Sequence, residues 1–229
     1  STHFCNHEWV LCKESSIFIE VGVQDSIECN STNLLLNLNW TGAQFEGCKE
    51  SYIDGKKFFQ EKGIKNNQCQ LLNRFIEVEN VNSLIQKTGI TGEIDFFSLD
   101  IDGNDYWVWK NITIIKPRLV VLEYNSSFGK YDPLTISYNP QFVWNNKDEQ
   151  RFFYGASLKA LEKISEKKGY NLVYVDSRGV NAFFVRKDVM ENTVLRKMKS
   201  EDVFIYNKDH NTRLKGIKNI VKKYNLLKV

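Results

Sequence analysis

The sequence predicts one α/β domain: a mostly parallel sheet with helices on both faces and one antiparallel strand. Three observations carry this. Short apolar runs alternate with helix-like stretches along most of the chain, as repeated strand–helix units do. Two of the runs, residues 94–99 and 119–122, are continuously apolar, the pattern of strands buried on both faces. The last two runs, residues 171–175 and 182–186, are joined by a short loop containing Gly179, which makes a hairpin and so one reversed strand.

The bulk composition fits this. At 229 residues, 42% hydrophobic and 26% charged, the chain can bury an ample core, which excludes a disordered or fibrous class. A net charge of +3 is too small to imply a nucleic-acid partner. No apolar run approaches the roughly 20 residues that span a bilayer, and no signal-peptide pattern opens the sequence. The five cysteines, Cys5, Cys12, Cys29, Cys48 and Cys69, are odd in number and irregular in spacing, so a disulfide framework is not expected. The cytoplasm is the simplest location. His3, Cys5, His7 and Cys12 fit no common zinc spacing. The acceptor triplets at Asn30, Asn111 and Asn125 read as chance matches in an Asn-rich chain.

Taken in order, residues 1–16 are an irregular extension. Residues 17–23 form a first strand running into Gly22. After a polar loop, Ser31 or Thr32 caps a helix through Leu38, its hydroxyl accepting free N–H groups of the first turn. Residues 43–45 are a short second strand ending at Glu46, and residues 52–62 a helix stopped by Gly63. Residues 70–78 are a third strand. Asn80 opens a helix with Val81, Leu84 and Ile85 at spacings of three and four. The strands at 94–99 and 119–122 flank a helix around 106–112, which Pro117 prevents from continuing. Residues 126–154 are rich in Tyr, Phe and Trp but show no period, and so long a loop in a compact domain is usually functional. Residues 157–168 are an amphipathic helix with Leu158, Leu161 and Ile164 on one face, stopped by Gly169 before the hairpin. The domain thus spans 17–190. Residues 191–229 form a basic tail on or next to it, in which Ile217, Ile220, Val221 and Tyr224 could make one face of a last helix.

The chemistry-bearing residues sit at strand ends. Asp100 and Asp102 follow the strand at 94–99, and Glu123 and Asn125 follow the one at 119–122, where open α/β sheets bind ligands. On an ideal strand Asp100 and Asp102 point the same way; if the strand ends at Asp100, they do not. Gly22 lets a ligand approach the backbone. The run Gly22-Val23-Gln24-Asp25-Ser26-Ile27 fails both the dinucleotide and the phosphate-loop patterns. Its carboxylate and amide groups suit a ligand carrying an ammonium group and a ribose. Glu46, roughly 20 residues past the glycine loop, is placed to accept hydrogen bonds from ribose hydroxyls. Together these point to S-adenosylmethionine. Asp102, Glu123 and Asn125 would suit Mg²⁺. Asp105 reads as a cap of the helix that follows it.

At these residues the sequence resembles the class I methyltransferases, and within them the FkbM-like group linked to sugar modification. The matching stretches are residues 18–25 (FIEVGVQD), 39–42 (NWTG), 78–82 (VENVN), 94–109, 117–125, 154–158 (YGASL) and 179–186. The runs SLDIDGNDYW at 98–107 and GVNAFF at 179–184 are long enough to be specific. The resemblance implies a Rossmann-like fold of seven strands, the last reversed. It implies S-adenosylmethionine held by Glu20, Gly22, Gln24, Asp25, Thr32, Glu46, Glu79 and Asp100. It places the acceptor over the fourth and fifth strands; there methyl-transfer chemistry, which needs a base for a sugar hydroxyl, assigns catalysis to Asp100 and Asp102, and Asn125, Tyr131, Arg151 and Tyr154, at the strand end and along the aromatic loop, are expected to contact the acceptor. That acceptor is a small molecule or a bacterial surface glycan or its precursor, and pairing into a homodimer is left open. Many class I enzymes carry a glycine where Ser26 stands, so a bulkier loop is expected to alter the cofactor pose. Two other readings stay open: a metal-dependent glycosyltransferase using Asp100-Ile101-Asp102, and a methyltransferase-like protein that binds without turnover.

Overall fold

The computed structural model describes residues 16–145, 151–191, 193–207 and 226–229. The His3, Cys5, His7 and Cys12 cluster, His210 and the tail helix expected around residues 217–224 lie outside them. The elements run β1 (Ile17–Val21), α1 (Thr32–Asn37), β2 (Thr41–Glu46), α2 (Lys49–Lys62), β3 (Cys69–Asn73), α3 (Val81–Lys87), β4 (Gly92–Leu99), α4 (Asp105–Asn111), β5 (Ile115–Glu123), β6 (Leu134–Thr135), α5 (Leu158–Lys167), β7 (Tyr170–Val175), β8 (Asn181–Arg186), α6 (Lys187–Met190), α7 (Ser200–Val203) and β9 (Leu227–Lys228).

Seven strands form one sheet in the order β3-β2-β1-β4-β5-β8-β7. β1 pairs in parallel with β2 and with β4, and β2 with β3. β7 and β8 are antiparallel, as the hairpin pattern predicts. This is the Rossmann-like methyltransferase arrangement expected from the sequence. The order steps outward from β1 to β3, then returns to β4 on the other side.

Local signals explain most boundaries. Gly63 closes α2 at φ +68°, in the left-handed region that costs glycine nothing. The Ser157 hydroxyl accepts the N–H of Ala160 and caps α5. Others differ from expectation. Neither Ser31 nor Thr32 caps α1 with its hydroxyl: Ser31 Oγ accepts from Gln44 and Thr32 Oγ1 donates to the carbonyl of Ser26. β3 stops at Asn73, five residues before the expected Val78, because residues 77–80 close a turn in which Asn80 Oδ1 takes the Glu77 N–H. β5 reaches back to Ile115, so Pro117 lies inside the strand as well as after the helix.

The chain divides into two compact units, Ser1–Asp100 with Ile112–Val120 and Asp188–Val194, and Ile101–Asn111 with Val121–Lys187 and Leu195–Val229. In the first, Phe18, Ile19, Val21, Ala43, Phe45, Phe97 and Leu99 are essentially without solvent exposure. In the second, Leu158, Leu161, Leu172 and Phe184 are buried, and Trp109 packs edge-on to Tyr170 while its Nε1 donates to Ser165. The aromatic stretch after Asn125 builds a small core of its own from Phe128, Ile136 and Phe152, with Phe142 and Phe153 against it.

Packing in the first unit is tightest at Gly42, where a Cβ would sit 2.2 Å from the carbonyl oxygen of Phe18. Because that obstacle is backbone in the neighbouring strand, it cannot rotate away. Gly42→Ala is therefore expected to destabilise the protein by about 1–3 kcal/mol, seen as a lower urea midpoint at unchanged slope.

Candidate functional site

The site begins where three neighbouring parallel strands end level. Val21 lies opposite Phe45 of β2 and opposite Leu99 of β4. The next peptides stay in register: Gly22 N–H donates to Phe45 O at 2.9 Å, and Asp100 N–H to Val21 O at 3.0 Å. Glu46, Gly22 and Asp100 thus leave the sheet side by side, with Gly22 in the middle. β1 is where the strand order reverses, the place at which open α/β sheets present a crevice.

The loop after β1 has an unusual backbone. Gly22, Gln24 and Ser26 all have positive φ, at +83°, +50° and +62°. For Gln24 and Ser26 this costs about 1–2 kcal/mol each, so other bonds must hold the loop. Glu46 Oε2 accepts the Gln24 N–H at 2.7 Å, and Ser26 N–H reaches Val23 O at 2.8 Å. Glu20, buried at the end of β1, accepts the N–H groups of Asn30 at 2.9 Å and Ser31 at 2.7 Å. The loop keeps the shape of alternating glycines without having them.

Ser26, expected to crowd a ligand, does not point out of the loop. It is fully buried, and its Oγ lies where a Cβ on Gly55 of α2 would approach to 3.0 Å. The missing side chain at Gly55 makes room for it. Thr32 is also turned inward, bonded to Ser26 O at 2.6 Å and beside Cys29 Sγ at 3.0 Å. Burial and the nearby Glu20 carboxylate push the Cys29 thiol up to about 12, so it stays protonated. Glu20 and Thr32 accordingly both hold the backbone of the loop. Glu46 Oε1 takes the Cys48 N–H at 2.7 Å, which leaves each carboxylate oxygen one further lone pair. Asp25 is half-buried, its Oδ1 accepting from Ile27 N–H. Glu79 is exposed on the turn before α3.

In the second unit the chain turns sharply between β4 and α4. β4 ends at Leu99, so the alternation that would align Asp100 with Asp102 does not apply. Asp102 has φ +52°. Asp102 and Glu123 each bring a carboxylate oxygen within 4.8 Å of the other. Burial raises the Asp102 carboxyl above its ordinary range. Asp105, expected to cap α4, is instead its first residue and binds backward: its two oxygens accept the N–H groups of Ile101 and Gly103, each at 2.9 Å. It is fully buried, and burial outweighs those bonds, pushing its carboxyl up to about 6.

The aromatic stretch docks on this turn. A Cβ on Gly103 would lie 2.5 Å from the Phe142 ring. Asn104 donates to Asn139 O at 2.7 Å, Trp107 Nε1 to Ile136 O at 2.9 Å, and Gly155 N–H to Gly103 O at 3.0 Å. Of the expected acceptor residues, Tyr131 is exposed, with Lys130 over its ring. Arg151 lies over Phe152, its Nε buried and without a hydrogen-bond partner among the described residues. Tyr154 is buried. Asn125 is the correction: it is fully buried, its amide donates to the carbonyls of Phe152 and Tyr154, and its Oδ1 accepts from Ser127. Its side chain fastens the aromatic stretch to the end of β5 and is closed to a metal or a substrate. Sequence reasoning missed Asn104; the dense run of Asp, Gly and Asn at 100–105 was the available signal.

No protein-family model matches the chain, and no curated protein does. Solved structures do match. The S-adenosylhomocysteine-bound methyltransferase PaMTH1 of Podospora anserina aligns with a TM-score of 0.51 at 12% identity, over 76% of this chain and 72% of that one. The N-terminal domain of EvdMO1, in the presence of S-adenosylhomocysteine and D-fucose, gives 0.48 at 12%, over 75% of each chain. The mitomycin 7-O-methyltransferase MmcR gives 0.46 at 14%, over 75% of this chain and 49% of that one, so the chain spans about half of its length. At such identities the likeness is one of fold, carried by PaMTH1.

The Asp105 clamp yields a stability test. Asp105→Ala would leave the half-buried Ile101 N–H and the buried Gly103 N–H without this acceptor, the latter at about 1–3 kcal/mol and the former at less. Thermal melts are expected to show a large loss for Asp105→Ala and a smaller one for Asp105→Asn, which keeps one acceptor.

Proposed function

We propose that the chain is an S-adenosylmethionine-dependent methyltransferase, class I and FkbM-like, that methylates an oxygen on a sugar or on a small substituent of a bacterial surface glycan or its precursor. The observation that supports this most is the row Glu46, Gly22 and Asp100 at the level ends of three parallel strands, beside a loop left-handed at every second residue. Gly22 keeps side-chain atoms out of the ligand's way. The free lone pairs of Glu46 fit donation from ribose hydroxyls, and Asp25 and Asp100 provide the negative charge that an ammonium group needs. Ser26, folded into the protein, is no obstacle. The cofactor supplies, when bound, a methyl group on a sulfonium.

The rest falls to the chain. In-line transfer needs position above all, and a sugar hydroxyl must also lose its proton. Asp102 is the general base on this reading, two residues beyond the cofactor row. Its raised carboxyl makes it a stronger base than an ordinary aspartate, and a positioned base is worth about 10²–10⁴-fold. Glu123 keeps the surroundings of Asp102 negative. Asp102 and Glu123 are also the oxygen donors that would hold Mg²⁺, whose chemistry would be to acidify the hydroxyl. The glycosyltransferase reading leaves the Glu46–Gly22 side without a role. Among the described residues no helix is long and apolar enough to cross a membrane.

Calorimetry with S-adenosylhomocysteine tests the core of the proposal. Binding is expected, and Glu46→Ala should weaken it by roughly 10- to 150-fold, the loss of a charged hydrogen-bond partner. No heat at millimolar ligand would overturn the proposal.

The proton-transfer role has its own readout. Asp102 works only when ionised, so turnover should fall as pH drops through its raised pKa. Asp102→Asn should lose about 10²–10⁴-fold and flatten that limb of the profile. Turnover that survives EDTA fits Asp102 as base, whereas a strict Mg²⁺ requirement would transfer the work to an ion held by Asp102 and Glu123.

A further inference from the structure

The second half of α5 and the end of β8 build a cavity away from the strand ends that carry Asp102 and Glu123. β8 begins beside Tyr124, whose N–H donates to Val180 O, and it ends at Arg186, opposite Tyr170 at the start of β7. Six residues of extended strand, about 20 Å, separate its two ends. Beyond the far end, an open cavity of about 390 Å³ is lined by Lys163, Glu166, Lys167, Lys187 and Lys197.

Three parts of the chain bring these lysines together. Lys163 lies one turn from both Glu166 and Lys167 on α5. Lys187 follows β8, and its N–H donates to Gly169 O at 2.9 Å. Lys197 precedes Met198, whose N–H donates to Leu172 O at 2.8 Å. The backbone beneath each lysine is therefore held, while the ammonium groups are short of acids. Lys197 pairs with Glu166, the carboxylate of the lining. Lys163 and Lys187 donate to backbone oxygens, of Val229 at 2.6 Å and of Glu166 at 3.3 Å. Lys167 has no partner among the described residues. The lining thus carries a surplus of three positive charges. Like charges gathered round one cavity repel, and an anion placed among them removes that repulsion.

The lining also indicates which anion. The volume is that of a small-molecule site, yet the lining is charged throughout, so charge rather than apolar contact must hold an occupant. Among the described residues it includes no ring on which a nucleic-acid base could stack. A tetrahedral phosphate can be met by point charges from several sides, as lysines supply them. A carboxylate brings one charge and a phosphate monoester about two, so a surplus of three is matched by linked phosphates. We propose that this cavity is a binding site for a ligand bearing two linked phosphate groups, free or esterified, with Lys163, Lys167 and Lys187 as its contacts and Lys197 steadied by Glu166. The proposal does not depend on the methyltransferase reading.

Calorimetry of the full chain with sodium pyrophosphate tests it, at an ionic strength of about 0.15 M, where loose surface attraction is screened. Saturable binding to one site is expected, with inorganic phosphate weaker. Lys167→Gln and Lys187→Gln should each weaken pyrophosphate binding by roughly 2- to 5-fold, and the two together by roughly 5- to 25-fold. Lys167→Arg should keep it. Both side chains are exposed, so thermal melts of the variants should match the wild type. Lys57→Gln on α2 and Lys222→Gln/Lys223→Gln in the basic tail remove charge elsewhere and should bind as the wild type does. No saturable heat at millimolar pyrophosphate overturns the proposal, as does equal weakening by these controls. Inorganic phosphate binding as tightly as pyrophosphate overturns the linked pair. Co-sedimentation with vesicles of equimolar phosphatidylcholine and phosphatidylglycerol is the last arm. Retention that Lys167→Gln/Lys187→Gln abolishes, in a chain that ignores pyrophosphate, would assign the lysines to a bilayer surface and overturn the proposal.

Discussion

A buried carboxylate holds the first half of this structure in order. Glu20 sits at the end of β1 with 2% of its surface exposed, and such a group is tolerable there only when it is hydrogen-bonded. The N–H groups of Asn30 and Ser31 bond one oxygen each. This ties the start of α1 to the end of β1 and fixes how much chain must fit between them. The residues in between have to turn tightly, and Gln24 and Ser26 take up left-handed conformations as a result. Glu46 secures the same loop from β2. Around these two acids, Asn30 bonded to Ser98 and Gln44 bonded to Ser31 complete a polar layer between otherwise apolar strands.

The second half has a comparable centre in residues 103–107. Gly103, Asn104 and Trp107 each meet a different part of the stretch between Ile136 and Gly155. A short run rich in Gly, Asn, Asp and aromatic residues is thus explained without appeal to catalysis alone. It serves as the anchorage of a long connection that would otherwise lack regular structure. That connection repays the anchorage by forming a small apolar core around Phe128, Ile136 and Phe152.

The end of β4 at Leu99, the hairpin and the stop at Gly63 were legible in the sequence because each is set by residues a few places apart. What was not legible depends on distant partners. The bonds of Glu20 to Asn30 and Ser31 were not legible because nothing near Glu20 announces them. Ser26 read as an obstacle because its burial depends on Gly55, in a helix whose facing is unknown until the sheet is assembled. Asn125 looked like an open oxygen donor at a strand end, yet its partners Phe152 and Tyr154 lie 27 and 29 residues on. Left-handed backbone at Gln24 and Ser26 leaves no letter in the sequence, since an over-determined loop can hold residues that would not choose that conformation. Ile205 and Asn207 are farther still, each 81 residues from the hydroxyl it meets, those of Tyr124 and Ser126.

The position of β1 between β2 and β4 also governs the order of assembly. β2 follows it after one short helix, but β4 pairs with it through Phe96 opposite Phe18, after β2, β3 and two further helices have been made. Until then one edge of β1 offers unpaired N–H and C=O groups, and Phe18 and Ile19 lack half of their cover. Closing that gap costs chain entropy before any contact repays it. The β7–β8 hairpin, whose strands are neighbours in the chain, carries no such delay. Nucleation at the late, local hairpin and slow completion of the early, central strand follow from this topology. Incomplete chains, lacking β4, would leave that edge of the central strand open.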